Sequence, residues 1–261
     1  MGITQAEADA LESEFLNAMP DIRDYSKDSA KKLLATWDHL VQIMARENNM
    51  SDRLGVETID WQIGNWANDT ILALHNALLY EDEIRVNEQI LQIQWRGHDH
   101  LFHENAKRDI ADAYADMGNV EKCLQLYEEY LQEDPLWGWA WIGYFRQLQE
   151  HNEQRFEPTL EALYQKVKSG VDFRDKEALY REIGDEYSAL GNKERADYFY
   201  GLEDEECSRS RILYGGLIPR ILEVKPKKTY PNDPCPCGSG KKYKNAAEGN
   251  ESMLPSELKV L

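Results

Sequence analysis

Apolar residues recur three and four positions apart along most of the chain, which is the spacing of one face of an α-helix. Two such stripes follow each other in the middle of the chain: Ile110, Ala113, Tyr114 and Met117, then Leu124, Tyr127 and Leu131. Strand-like alternation of useful length occurs only at Trp137, Trp139 and Trp141, which follow Asp134-Pro135 and are interpreted as the start of a helix. The pattern therefore predicts an all-α protein.

The chain also repeats itself at an offset of 73 residues. The sequence IADAYADMGN at 110–119 corresponds to IGDEYSALGN at 183–192, and the same offset relates Tyr127 to Tyr200 and Cys123 to Ala196. Seventy-three residues correspond to about two helix hairpins of roughly 34 residues plus a short insertion. The region between the two matches supplies an intervening unit that is lengthened near 150–158. This self-similarity predicts stacked helix hairpins.

The segment 104–137 resembles the tetratricopeptide repeat family. The resemblance rests on small, aromatic, turn-forming and helix-ending positions: Ala111, Tyr114, Gly118, Asn119, Cys123, Tyr127, Asp134 and Pro135. It extends well over 104–201 and loosely over 60–96, and the first fifty residues are predicted to form two further helices. The resemblance implies a stacked α-solenoid with a groove that binds a partner protein or peptide, through aromatic residues such as Tyr114 or the Trp137–Trp141 cluster. A plain helical bundle is the alternative.

Charge divides the chain into two parts. The 30 basic and 48 acidic residues give a net charge of −18, but the segment from residue 209 onward carries ten basic and five acidic residues. The tail is therefore +5 and the remainder −23. An acidic body repels nucleic acid, so we expect no DNA binding. No apolar run approaches the roughly 20 residues of a membrane helix, and the first residues lack signal-peptide features. The sequence predicts a cytoplasmic protein without membrane insertion.

The sequence NDPCPCGSGKKYK at 232–244 closely resembles the SEC-C motif, the zinc-binding module at the C-terminus of the SecA export motor. The family pattern has two pairs of ligands, of which Cys235 and Cys237 form the first. Ala246 and Ala247 stand where the second pair is expected. Zinc is therefore expected for an intact motif, whereas in this chain two thiolates would hold it weakly or not at all.

The missing ligands have two explanations. The first is a single-base slip that shifts the reading frame. Adding one adenine in front of codons that can encode residues 245–248 gives Lys-Cys-Cys-Gly-Arg, which restores the missing cysteine pair. Residues 248–261 would then be translated out of frame. Deliberate replacement of cysteine by alanine is the rival account. The predicted division is then N-terminal helices at 1–58, helical repeats at 59–210, a linker at 211–231, the degenerate motif at 232–247 and a disordered tail at 248–261.

Basic residues surround the first cysteine pair and form a candidate binding surface: Lys241, Lys242, Tyr243 and Lys244. The resemblance implies contact with the export chaperone SecB or with ribosomes. We thus have two hypotheses: a non-enzymatic interaction scaffold that acts through the helical repeats, and a ribosome-, RNA- or export-associated factor that acts through the basic tail.

Two other sets of residues are candidates for chemical sites. The segment 98–104 contains residues of metal-ligating types, but they match no familiar ligand spacing, and a polar turn is expected there: His98, Asp99, His100, His103 and Glu104. Cys123 and Cys207 have no histidine or basic partner in sequence, and Cys123 occupies a small-residue position of the repeat, which predicts a buried packing role. The sequence therefore predicts no active site.

Overall fold

A computed structural model describes residues 2–19, 26–48, 50–96, 99–151 and 154–214. This part of the chain contains ten α-helices and no strand, so the all-α prediction is confirmed. The helices are α1 Gln5–Ala18, α2 Lys27–Asn48, α3 Glu57–Asn76, α4 Tyr80–Ile90, α5 Asp99–Asp116, α6 Val120–Glu133, α7 Gly138–Glu150, α8 Phe156–Lys168, α9 Lys176–Ala189 and α10 Lys193–Tyr214.

The two turns that the self-similarity predicts have the same geometry. Gly118 and Gly191 adopt φ angles of +82° and +75°, which end α5 and α9 in the left-handed region that glycine tolerates best. The asparagine that follows each glycine caps the next helix. Asn119 Oδ1 accepts a hydrogen bond from the Lys122 amide at 3.3 Å, and Asn192 Oδ1 accepts one from the Arg195 amide at 3.2 Å.

The paired helices of these two hairpins are also joined by the same hydrogen bond. The Tyr127 hydroxyl on α6 donates to Asp112 Oδ1 on α5 at 2.8 Å. The Tyr200 hydroxyl on α10 donates to Asp185 Oδ1 on α9 at 2.8 Å. Both donors and both acceptors are separated by the 73-residue offset, so the sequence repeat corresponds to a repeated contact between helices.

Replacing Gly118 with alanine should lower the free energy of unfolding by about 1 kcal/mol, because a Cβ in the left-handed region is strained. No atom from elsewhere in the described part of the chain lies within 4 Å of the added Cβ, so the effect isolates the backbone. The control is Gly201→Ala, which lies within α10 at an equally open position without a positive φ and should be neutral or stabilising. Urea unfolding of both variants checks the difference, and equal changes would contradict it.

The core is a series of clusters that follow the chain. The first joins α1 to the start of α5 and includes Trp37 and the stacked pair Phe15 and Trp66, whose ring centroids lie 4.1 Å apart. A second cluster joins α5, α6 and α7, and a third joins α7 to α10. Helices that share substantial contact are neighbours in chain order or are separated by one helix. Residues 1–209 form one compact unit.

The structure bears on several details that the sequence pattern predicts. The two N-terminal helices are present as α1 and α2, and Trp137 directly precedes α7, as predicted. Met117, which the pattern predicts on an apolar stripe, is 43% exposed because it follows the last residue of α5. Pro158 lies in the first turn of α8. Residues 215–261, which include most of the predicted linker, lie outside the described residues.

None of the described helices combines the length and apolar character that a membrane-spanning helix requires.

Candidate interaction site

Four carboxylates on adjacent helices form what we call the carboxylate cluster: Glu83, Asp109, Asp112 and Asp116. The three aspartates are spaced at i, i+3 and i+7 on α5, so they share one helical face. Glu83 comes from the first turn of α4. His75, in the last turn of α3, joins the two sides, because its Nδ1 lies 3.3 Å from Glu83 Oε2 and 3.9 Å from Asp116 Oδ2.

Burial makes two of these carboxylates hard to ionise. Glu83 is only 2% exposed, and its burial raises its pKa to about 7, assisted by the neighbouring charges of Asp109 and Asp116 and opposed by His75. Burial likewise raises the pKa of Asp109 to about 6, against the opposing effect of Arg108. Near neutral pH the cluster therefore carries less than its full negative charge.

Asp112 is the best-satisfied member of the cluster. Its Oδ1 accepts hydrogen bonds from the Tyr127 hydroxyl at 2.8 Å and from Gln147 Nε2 on α7 at 3.1 Å. Its pKa is nevertheless raised, chiefly by burial. Beside it, the Arg108 guanidinium lies 5.0 Å from the ring centroid of Trp139, which is 36% exposed. An exposed aromatic ring and an arginine thus flank the cluster on the α7 side.

Replacing Glu83 with glutamine should stabilise the protein at pH 8 by roughly 2–3 kcal/mol, because a buried charge is removed while the hydrogen-bonding shape is kept. A carboxyl whose pKa rises on folding favours the folded state below its ordinary value near 4.5. That contribution is lost as the pH rises to about 7, so the wild type should lose stability over this window.

Urea unfolding at pH 4, 6 and 8 measures this difference. The two proteins should converge at pH 4 and differ most at pH 8. Glu177→Gln on the exposed surface of α9 is the matched control and should change stability by less than about 0.5 kcal/mol at every pH. An identical pH dependence for wild type and Glu83→Gln would contradict the burial of an ionisable Glu83.

The aromatic residues proposed as partner anchors occupy different environments. Trp137 is 2% exposed and belongs to the core, so it is not available as an anchor on this surface. Tyr114 is half-buried between two core clusters. Trp141 is half-buried, and its Nε1 donates to the Pro135 carbonyl at 3.0 Å. Trp139 is the most exposed of the four, which makes it the best-placed anchor.

The segment that contains the histidine group is helical from Asp99, so the expected polar turn is wrong for 99–104. His103 Nε2 lies 3.2 Å from the Ile93 carbonyl, and Glu104 forms an ion pair with Arg174 at 2.7 Å. His98 and the side chain of His100 lie outside the described residues. Within the described part, no three His, Cys, Asp or Glu residues are placed to hold a metal ion.

Two cysteines lie in the described part of the chain, Cys123 and Cys207. Cys123 is fully buried on α6 against Ala111 and its neighbours, which confirms its predicted packing position. Burial, together with the charges of Asp112 and Asp116, raises its pKa to about 12. The thiol therefore stays protonated at neutral pH and is a poor nucleophile. Cys207 is half-buried on α10.

The candidate residues of the C-terminal motif lie outside the described residues: Cys235, Cys237, Lys241, Lys242, Tyr243, Lys244, Ala246 and Ala247. Comparison with known families matches residues 232–245 to the SEC-C motif, which confirms that resemblance. The match includes Cys235 and Cys237 and ends before Ala246.

A second comparison relates part of this chain to a protein translocase subunit SecA from Xylella fastidiosa (strain 9a5c). The two are 50% identical over 48 residues, which is 18% of this chain and 5% of that subunit. This chain therefore spans a small part of the length of the relative that it matches. No solved structure matches the chain.

The carboxylate cluster had a partial signal in the sequence. The spacing of the three aspartates on a predicted helix places them on one face, but acidic residues at that spacing are common on solvated surfaces. Nothing in the sequence indicates that Glu83 is buried, because its burial depends on how α3 and α5 pack around α4. Chemically, the cluster attracts cationic groups and repels phosphate.

Proposed function

We propose that the helical body is a non-enzymatic scaffold that binds a partner protein. In this proposal its hairpins stack as a tetratricopeptide-like solenoid. The observation that carries the proposal is the repeated hairpin, with the Tyr127–Asp112 hydrogen bond in one copy and Tyr200–Asp185 in the other. The succession of core clusters, in which helices pack against near neighbours in the chain, supports the same arrangement.

The proposed binding face consists of the first helices of successive hairpins, α5, α7 and α9. These helices are linked by polar contacts at their surface. Gln147 on α7 donates to Asp112 on α5, and Arg146 on α7 forms a bidentate ion pair with Glu182 on α9 at 2.7 and 2.9 Å. A row of polar side chains next to the exposed ring of Trp139 suits a protein partner, since aromatic anchors within a polar rim are typical of interfaces.

Photo-crosslinking tests this proposal in the full-length chain. Trp139 is replaced by p-benzoylphenylalanine, and the protein is irradiated in a bacterial lysate. The expected result is a discrete protein adduct that is identified by mass spectrometry and is lost when Asp109→Lys is added. The same crosslinker at Tyr198, which is exposed on α10, is the control and should give no such adduct. Equal adducts from both positions would contradict a binding face on α5, α7 and α9.

The second candidate function is a ribosome-, RNA- or export-associated factor that acts through the tail. It is supported by the SEC-C match at 232–245, by the similarity to SecA and by the tail charge of +5. Co-sedimentation with ribosomes tests it. Salt-sensitive binding that disappears in the triple variant Lys241→Glu, Lys242→Glu, Lys244→Glu would favour this function. Binding that the triple variant retains would count against it.

The SEC-C motif is associated with zinc, but the donors present do not complete a zinc site. Structural zinc requires four ligands, and the motif supplies two thiols from Cys235 and Cys237, whereas Ala246 and Ala247 carry no donor atom. We therefore assign the motif an auxiliary contact role through Lys241, Lys242, Tyr243 and Lys244, and we assign it no step that depends on bound zinc.

A further inference from the structure

A groove lies between α1 and α3, apart from the repeated hairpins. It has a volume of about 420 Å³, within the range of ligand and peptide sites. Its lining residues are, from α1 and its C-terminus, Glu12, Leu16 and Met19, and from α3, Gln62, Asn65, Trp66, Asn68 and Asp69. We call this feature the α1–α3 groove.

The apolar part of the groove is both accessible and rigidly supported. Leu16 is 68% exposed and Met19 is 38% exposed, although both are large apolar side chains. Trp66 forms part of the floor and is held by its stacking on Phe15, with ring planes 5° from parallel. Exposed leucine and methionine above a fixed aromatic floor fit an apolar side chain of a partner.

Among the described residues, the charged lining of the groove is acidic. Glu12 and Asp69 are the ionisable residues of that described lining, and no described cation contributes to the pKa of Asp69. Burial raises the pKa of Asp69, because the carboxylate loses water without gaining a donor. A cation placed beside Asp69 would offset that desolvation, so the groove is complementary to lysine or arginine.

Amide side chains make up the rest of the described α3 lining of the groove. Asn65 Nδ2 donates to Gln62 Oε1 at 3.2 Å, and Asn68 lies one turn further along. The exposed stripe of α3 is uncharged for three turns, through Trp61, Asn65, Asn68 and Leu72. Amides both donate and accept hydrogen bonds, so this stripe suits the main chain of a peptide. Interfaces are likewise depleted of charge at their centres.

We propose that the α1–α3 groove docks a segment of a partner protein that inserts an apolar side chain beside a lysine or arginine. The apolar side chain packs between Leu16, Met19 and Trp66, and the cation pairs with Asp69 and Glu12. This site is separate from the proposed face on α5, α7 and α9, so either proposal can fail without the other.

Selection from a random twelve-residue peptide library displayed on phage, with the full-length chain as bait, tests the groove. We expect enrichment of peptides in which a large apolar residue lies within four positions of lysine or arginine. One synthetic peptide from the selection is then measured by fluorescence anisotropy. Asp69→Lys and Leu16→Glu should each weaken its binding at least tenfold, because one reverses the complementary charge and the other places a charge in the apolar part.

Matched controls separate the groove from general effects of charge. Glu177→Lys makes the same charge change at an exposed position of α9. Leu190→Glu replaces a leucine that is 48% exposed at the end of α9. Both controls should bind the peptide within twofold of wild type. Thermal unfolding of every variant establishes that it is folded, and Asp69→Asn serves in place of Asp69→Lys if the latter is not.

Each of the following results would overturn the proposal. They are enrichment of acidic peptides, absence of any enriched sequence, and binding that the groove variants and their controls affect equally. Peptides that are lost only with Trp139→Glu would overturn the groove while supporting the face on α5, α7 and α9.

Discussion

Replacing Gly143 with alanine should lower the free energy of unfolding by about 3 kcal/mol, near the upper end of the usual cost of overpacking. Gly143 lies on α7 directly against the Tyr127 ring, and an added Cβ would lie 2.6 Å from Tyr127 Cε1. Tyr127 is fully buried and its hydroxyl is held by Asp112, so the ring has no open space to enter. The substitution therefore disturbs the contact that defines the repeat.

Urea unfolding followed by circular dichroism measures this cost. Gly184→Ala is a useful second variant, because its Cβ would lie 2.7 Å from Tyr200 Cε1 in the equivalent hairpin. Tyr200 is only half-buried and has more room to move, so a smaller loss is expected. A change of less than about 0.5 kcal/mol for Gly143→Ala, within the range of ordinary surface substitutions, would contradict the packing described for Tyr127.

Adding the missing cysteine pair should produce the largest change in ligand binding. The double variant Ala246→Cys, Ala247→Cys completes a four-thiolate set with Cys235 and Cys237. Structural zinc sites of this kind bind with apparent free energies of about 10–16 kcal/mol at neutral pH. We expect the double variant to retain about one zinc ion per chain after dialysis, the stoichiometry of a four-ligand site, and the wild type to retain almost none.

The zinc content of the double variant and of the wild type, measured by mass spectrometry of the metal, tests this expectation. The control is Ala246→Ser, Ala247→Ser, which keeps the size of the new side chains but supplies no thiolate, and it should resemble the wild type. Stoichiometric zinc in the wild type would contradict the incomplete site. Failure of the double variant to bind more zinc than the serine control would show that 246 and 247 are not ligand positions.

The sequence carried enough local information to predict the hairpins. Gly118 and Asn119 are fixed by backbone chemistry, because glycine suits a positive φ and asparagine caps the helix that follows. The repeat at Gly191 and Asn192 gave the same signal a second time. Tyr127 and Asp112 also have counterparts at the matched positions of the second copy, Tyr200 and Asp185. The hydrogen bond within each pair becomes evident only when the helices are paired.

The candidate sites depended more on packing than on local sequence. Trp137 and Trp139 are two residues apart, yet one is buried and the other exposed, because residues two apart at the start of a helix point to nearly opposite sides. The role of Glu104 was also beyond local sequence, since its partner Arg174 lies 70 residues away. Nothing in the sequence indicates the α1–α3 groove. Leu16 on α1 and Met19 at its C-terminal end belong to an apolar pattern that is equally typical of a helix face packed in the core.

We propose that the helical body, rather than the basic tail, binds the partner protein. The most direct measurement is the affinity of the partner identified by crosslinking at position 139, compared by calorimetry for full-length wild type and the triple variant Lys241→Glu, Lys242→Glu, Lys244→Glu. We expect these two proteins to bind with affinities within twofold of each other, and Asp109→Lys to bind at least tenfold more weakly. A tenfold loss in the tail variant together with an unchanged Asp109→Lys would contradict it.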